Sequence, residues 1–539
     1  MSRFVTHVLS PLLAVCMLVT PLVAWAQVCE GPGVQSELQY LRRLSLDLRG
    51  RLPSAAEMKQ VIEEGQVDPD TIEEMLASED FSHQMRLYHK DLLWSNLSTQ
   101  RLAQNNFILS LPRNQNQPRI YSIVSNNRRT LFRGANATCK DEPARFGENG
   151  EILFDEEMDR NGNTVRREGY VEVNPYWAPE TTIKVCAFDA QTAAEGTSRG
   201  GRPAPCKQLS SADCGCGPNL NWCLNQEVQQ AITEAMTEQV LDSIDQIITQ
   251  DRPYSEVILG GEYRVNGPLV HYYRYLTSVG NAILSALPDP GYPLPDLAFS
   301  DTEWVSVSAT TPLHSGVLTL PGFLMKFQSD RGRANRFYNA FLCKAFEAPE
   351  GGLPAADDPC NEEPDLAKRC GCSHCHAGVE PAAAHWGRWS EAGMAPMEEE
   401  GFPRYLEICD GANNPGASRN FLCRRFYLTE ANHPSEEKYV GHLLGYLFAD
   451  EHAGRADAIE GGPALLAGQA VDTGAFAKCT TEKVWTLFQA HAPSSKEAGT
   501  LAEMTANFEA GYSFRDLVRA TVTHPKYVYA GLYDGSEEN

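Results

Sequence analysis

Leu38, Leu41, Leu44 and Leu48 recur three and four residues apart in LQYLRRLSLDLRG, with Gln, Arg, Ser and Asp between them. That spacing puts the four leucines on one face of an α-helix. Gly50 predicts its end. Pro53 and Ser54 predict the opening of a second helix, and Glu57, three residues after Ser54, completes a capping box. DPDTIEEMLASEDFSHQMRLYHKDLLWSNL predicts two more helices, with Met85, Leu92, Leu93 and Trp94 sharing a buried side. His83 and His89 fall in the second of these and are expected at the surface or the edge of the core.

Helical periodicity returns in EVQQAITEAMTEQVLDSIDQIITQ and in RANRFYNAFLCKAF, where Phe337, Phe341 and Ala345 form one stripe. It returns again in the final stretch YSFRDLVRATVTHPKYV, whereas the Gly/Ala-rich residues near 453–475 read as a loop. Between about 110 and 225 the texture changes to Asn, Arg, Gly, Pro and Cys. There EILFDEEMDRNGNTVRREGYVEV predicts two strands around an Asn161-Gly162 turn. The same stretch approximates a calcium loop through Glu157, Asp159, Asn161, Gly162 and Glu168, so Ca²⁺ is kept as a second reading. Glu is a poor first ligand there, and flanking helices are not evident.

The fold class expected is mainly α and multi-helical, with a Cys-rich β-hairpin and loop insertion. The segments expected are a signal peptide (1–26), an N-terminal helical module (27–110), the Cys-rich insertion (111–225), a central helical module (226–350), a segment taken up below (351–455) and a C-terminal helical module (456–539).

VLSPLLAVCMLVTPLVAWA follows Arg3, and Ala24-Trp25-Ala26 has the small-x-small form of a cleavage site. Export and cleavage after Ala26 are expected, with an uncleaved anchor as the rival reading. A lipidated cysteine is less favoured, because the large Val15 and Val28 precede Cys16 and Cys29. No later segment is apolar enough to span a bilayer, so no transmembrane span is expected after cleavage. Cleavage removes one base and no acid, leaving 45 basic against 70 acidic residues. That acidity argues against nucleic acid as a partner. Sixteen cysteines in an exported chain point to disulfides and to a periplasmic or other extracytoplasmic location.

The chemistry concentrates in RCGCSHCHAG, Arg369 to Gly378, where Cys372-Ser373-His374-Cys375-His376 is C-x-x-C-H. Two thiols at this spacing reach the two vinyl groups of one porphyrin, and the next histidine stands under the iron. Composition alone would produce the motif in about 0.01 of such chains. One haem c is therefore expected on Cys372, Cys375 and His376, with His376 as the proximal iron ligand, which makes 351–455 a c-type haem-binding loop segment. A Cys372–Cys375 disulfide and a zinc site are the alternatives. Cys370 is expected to pair with Cys343, Cys360 or Cys409. Met397 and Met394 are the distal candidates, with His385 behind them. Trp386 and Trp389 either cover the porphyrin or simply pack.

LRRLSLDLRGRLPSAAEM and MRLYHKDLLWSNL resemble the N-terminal helical module of planctomycete-type exported cytochrome c proteins. DRPYSEVILGGEYRVNGPLVHYY and HSGVLTLPGFLMKFQSDRGRANRFYNAFLCKAF resemble the central modules of related exported proteins, and SFRDLVRATVTHPKYV their short C-terminal module. These are domain families of unknown function. The resemblance covers about half of the mature chain and departs across about 110–225. It implies a mostly helical, exported, haem-bearing protein, assigns Cys372, Cys375 and His376 to the haem, and implies no substrate. Arg42, Asp47 and Arg51 match the N-terminal motif and are read as helix-end and salt-bridge residues.

The leading expectation is an electron carrier working with redox partner proteins in the cell envelope. A haem-dependent peroxidase or oxidase component is one alternative. The other is an envelope binding or structural protein with a haem-stapled loop. No catalytic residue is nominated. Gly196 to Gly200, GTSRG, has the form of a nucleophile elbow, but no apolar strand precedes Ser198 and no helix follows it, so Ser198 is read as a loop residue.

Overall fold

The computed structural model describes residues 36–528, apart from 98–101, 103–104, 114–115, 136, 199–200, 208–210, 278–292, 310–313, 347–354, 356 and 392–395. The expected signal peptide, with Cys16 and Cys29, lies outside the described residues, as does Met394.

The chain opens with four helices, α1 (Glu37–Arg49), α2 (Ala55–Glu64), α3 (Pro69–Leu76) and α4 (Glu79–Leu93). α1 buries Leu41, Leu44 and Leu48 and leaves Leu38 39% exposed at its first turn. Gly50 ends α1 with a left-handed φ of 67°, a conformation that costs glycine little. The Ser54–Glu57 capping box opens α2 as its sequence predicts. Two expectations for α4 are corrected. Trp94 does not join the buried side: it is the left-handed residue after the helix, 58% exposed, with the Arg336 guanidinium 4.0 Å over its ring. His89 is fully buried, because Met85 and Tyr254 satisfy both of its ring nitrogens.

The short helix α5 (Asn126–Arg133) leads into four antiparallel hairpins, a minimal one pairing Arg145–Phe146 with Ile152–Leu153 and three longer ones. These pair β1 (Asp155–Met158) with β2 (Thr164–Arg167), β3 (Tyr170–Val173) with β4 (Ile183–Cys186), and β5 (Glu195–Thr197) with β6 (Pro203–Pro205). Asp155 faces Arg167 across the β1–β2 hairpin, and Gly162 turns it with a φ of 80°. Disulfides Cys139–Cys186, Cys206–Cys214 and Cys216–Cys223 staple this region. Short strands cannot bury enough apolar surface to hold themselves, and the cross-links supply what the small core lacks.

α6 (Gln226–Thr249) is the long central helix and packs against α4. α7 (Asp330–Phe341) buries Phe337 and Phe341. It stops there, so Ala345 lies past the expected stripe; Cys343 adopts a left-handed φ of 53° and is disulfide-bonded to Cys479. α8 (Ser373–Ala384) carries the C-x-x-C-H motif. α9 (Arg455–Asp472) corrects the expectation of a loop at 453–475. It is helical because Ile459, Leu466, Ala467 and Ala470 are buried as it packs against α8, with a break at Gly462 before Pro463. α10 (Ala475–Gln489), α11 (Ala498–Glu509) and α12 (Phe514–Val522) complete the helices used below.

The main core runs from α1 to Tyr527. Arg43 donates to the carbonyls of Phe488 (2.7 Å) and Tyr527 (2.9 Å), and Tyr527 Oη donates to Asp47 Oδ2 at 2.8 Å. A second, smaller core gathers Met397, Phe426, Tyr427, Leu443, Tyr446 and Ile459 around the Cys409–Cys423 disulfide. α8 lies between them, giving Val379, Ala382 and Ala383 to the first and Ala384 to the second. Among the described residues no helix is long and apolar enough to cross a membrane.

Candidate functional site

The approach to α8 is tied down on both sides. Cys360 and Cys370 form a disulfide, so Cys370 takes the second of its three expected partners. His452 Nε2 lies 2.7 Å from Asp365 Oδ2, linking the segment before the motif to the start of α9. Gly371 then turns the chain with a φ of 70°, and the helix begins at Ser373. The Cys372 carbonyl accepts from the amides of Cys375 (3.2 Å) and His376 (2.9 Å). That turn places Cys372, Cys375 and His376, three and four residues apart, on one face.

Among the described residues six disulfides use twelve cysteines, and Cys372 and Cys375 stay outside them. No disulfide joins Cys372 to Cys375.

His376 Nδ1 lies 2.7 Å from Glu380 Oε1, one helical turn on. Since the carboxylate accepts, Nδ1 carries the proton, and no hydrogen bond engages Nε2 among the described residues. Glu380 is 5% exposed. Its Oε1 also accepts from Arg331 Nε of α7 at 2.6 Å, and Arg455 Nη1 of α9 stands 3.7 Å from Oε2. Burial alone would raise the Glu380 pKa, but the hydrogen bonds from Arg331 and His376 and the charges of Arg331 and Arg455 hold it below the usual carboxylate range.

Two cavities flank α8. The larger, about 410 Å³, has walls of Ala367, Ala377, Pro381, Ala453, Ala458 and Leu465, with Glu380, His385, His452 and Arg455 among its polar groups. The smaller, about 280 Å³, is lined by Met397, Trp389, Phe426 and Leu443, with Glu380 and Arg455 again and Arg331 among its polar groups. The distal candidates therefore divide. His385 borders the larger cavity and Met397 the smaller. His385 is 5% exposed, its Nδ1 donates to the Gly462 carbonyl at the α9 break (2.9 Å), and burial lowers its pKa despite that bond. Met397 is pinned through its backbone, its amide donating to the Arg388 carbonyl at 2.6 Å and its carbonyl accepting from Arg388 Nη1 at 3.0 Å. Trp386 packs in the main core near Phe323 and Phe337, whereas Trp389 lines the smaller cavity.

The calcium-loop residues do not converge. Asp159 accepts from the amides of Asn161 and Asn163 within the hairpin turn, and Glu157 pairs with Lys140. Glu168 is buried beside Arg133 of α5. Cys139, Glu168 and Cys186 come within metal-ligand distance of one another, but both sulfurs are in a disulfide and Glu168 is held by Arg133. Ser198 lies between β5 and β6, its Oγ accepting from the Arg202 amide at 3.1 Å, so no nucleophile elbow forms.

Sequence reasoning missed Glu380, Arg331 and Arg455. The first had a signal: Glu380 stands four residues after His376, the spacing at which helical side chains meet. The two arginines come from helices 49 and 75 residues away in sequence and carry no such mark. The chain matches no protein-family profile, no curated protein and no solved structure.

Proposed function

We propose that this chain is an exported c-type cytochrome that passes single electrons and carries one covalently attached haem. The observation that carries the reading is the state of the motif: two cysteines outside the disulfides of the described residues share a helical turn with a histidine whose Nδ1 is anchored and whose Nε2 takes no hydrogen bond among the described residues. That donor set is the one haem c attachment requires.

Cys372 and Cys375 would hold the group by their sulfurs and His376 by its Nε2. A haem held there supplies a one-electron iron couple. Glu380 accepts from His376 Nδ1 and would so fix the tautomer and ring orientation that leave Nε2 to ligate. The Cys360–Cys370 bond and the Asp365–His452 contact fix the approach to the motif. Ala377, Pro381 and Leu465 give the larger cavity beside the motif an apolar wall. The signal-like N-terminus and the disulfides fit a periplasmic or other extracytoplasmic setting, and a formal net charge of −24 favours a basic redox partner.

The test is a pyridine-haemochrome and reduced-minus-oxidised spectrum of protein made in a host that attaches haem c. One haem per chain is expected, with covalent attachment lost in Cys372→Ser or Cys375→Ser. A resting five-coordinate, high-spin iron would move the reading to a peroxidase. Wild-type protein without a Soret band overturns it altogether.

A further inference from the structure

We propose that Glu380 is a positioning residue that sets the reduction potential of the iron through His376, with Arg331 as its counterweight. The inference rests on the haem reading of the same motif and goes beyond it, to how this chain would tune the couple.

Three helices converge on one carboxylate. His376 and Arg331 both engage Oε1, at 2.7 and 2.6 Å, while Arg455 faces Oε2 at 3.7 Å. A carboxylate whose only work was to tie α7 and α9 to α8 would need the two arginines and no imidazole. Instead, the atom that receives Arg331 also receives the Nδ1 proton of the motif histidine. An anionic acceptor on Nδ1–H makes the opposite nitrogen a stronger electron donor than a carbonyl acceptor would. Stronger donation favours the oxidised iron and lowers the potential. Glu380 is 5% exposed, so water screens its charge weakly and the effect is not diluted. Arg331 draws on the same oxygen and works in the opposite direction. The two side chains form an opposed pair built on rigid elements.

The experiment is an anaerobic potentiometric titration of the haem-loaded protein, with haem content measured on each sample. Glu380→Gln should move the midpoint to more positive potential by about tenfold in the electron-exchange equilibrium, roughly 59 mV for one electron. Arg331→Gln should move it to more negative potential. Glu391→Gln removes an exposed carboxylate bordering the smaller cavity that makes no bond to His376, and should leave the midpoint close to wild type. If Glu380→Gln does not fold, Glu380→Asp keeps the charge, withdraws it by one methylene, and should still raise the midpoint. An unmoved midpoint in the Glu380 variant that folds overturns the proposal, as does an equal shift in Glu391→Gln. Wild-type protein lacking haem overturns the underlying reading and this one with it, whereas haem-loaded wild type with unmoved variants overturns only this one.

Discussion

His89 shows how burial decides the behaviour of one side chain. Its Nδ1 lies 2.7 Å from the Met85 carbonyl and its Nε2 2.7 Å from Tyr254 Oη, so Nδ1 donates and Nε2 accepts. Burial pushes its pKa down to about 4, against the Met85 carbonyl, which favours the proton. The folded value lies below the ordinary 6.5, so the stability gained by burying the neutral ring is complete above pH 6.5 and is lost as pH falls towards 4. His89→Gln should therefore reduce, by about one, the protons taken up on unfolding across that window. The measurement is the slope of unfolding free energy against pH, and an unchanged slope would contradict it. The sequence placed His89 on a helix but misjudged its depth. An imidazole suits either face, and its partner Tyr254 is 165 residues away.

Individual helices divide by how local their causes are. α1 ends and α2 begins where Gly50, Ser54 and Glu57 say they should, because caps act within a few residues. Burial would raise the pKa of Glu57, but the Arg49 side chain and the Ser54 amide and hydroxyl bind its carboxylate and hold it down to about 2. A depressed carboxylate contributes stability above its ordinary pKa of 4.5 and loses it as pH falls through the folded value. Glu57→Gln should cost about 1–2 kcal/mol at neutral pH. Its deficit against wild type should close between pH 4.5 and 2, as read by denaturant titration. α9 had no comparable local signal. Its Gly461, Gly462 and Pro463 read as breakers, and the helix does kink at Gly462 while packing against α8. The same packing delivers Arg455 to Glu380 and the Gly462 carbonyl to His385.

At the scale of the whole molecule, the chain is closed by long-range ties. Cys343 and Cys479 join residues 136 apart and enclose the whole C-x-x-C-H segment in one covalent loop. Cross-linking so long a loop restricts the unfolded chain most strongly. Cys343→Ser with Cys479→Ser should lower the unfolding free energy by about 2–5 kcal/mol in denaturant under non-reducing conditions. An effect below about 0.5 kcal/mol would show that packing alone holds α7 to α10. The segments expected as N-terminal and C-terminal modules share one core, through Tyr40, Arg43, Asp47 and Tyr527. Nothing in either stretch alone announces that meeting.

The sequence by itself determined what depends on neighbours in the chain: the helical spacing of Leu41, Leu44 and Leu48, the caps, the Asn161-Gly162 hairpin, and the C-x-x-C-H spacing that puts two thiols and an imidazole on one turn. Tertiary structure alone decided which of the described cysteines pair and which two stay outside the disulfides, how deep His89 and Trp94 sit, and that Arg331 and Arg455 reach Glu380. Caps and turns are set by backbone geometry over three or four residues. Pairing, burial and the charges around a carboxylate are set by residues that only packing brings within a few ångströms.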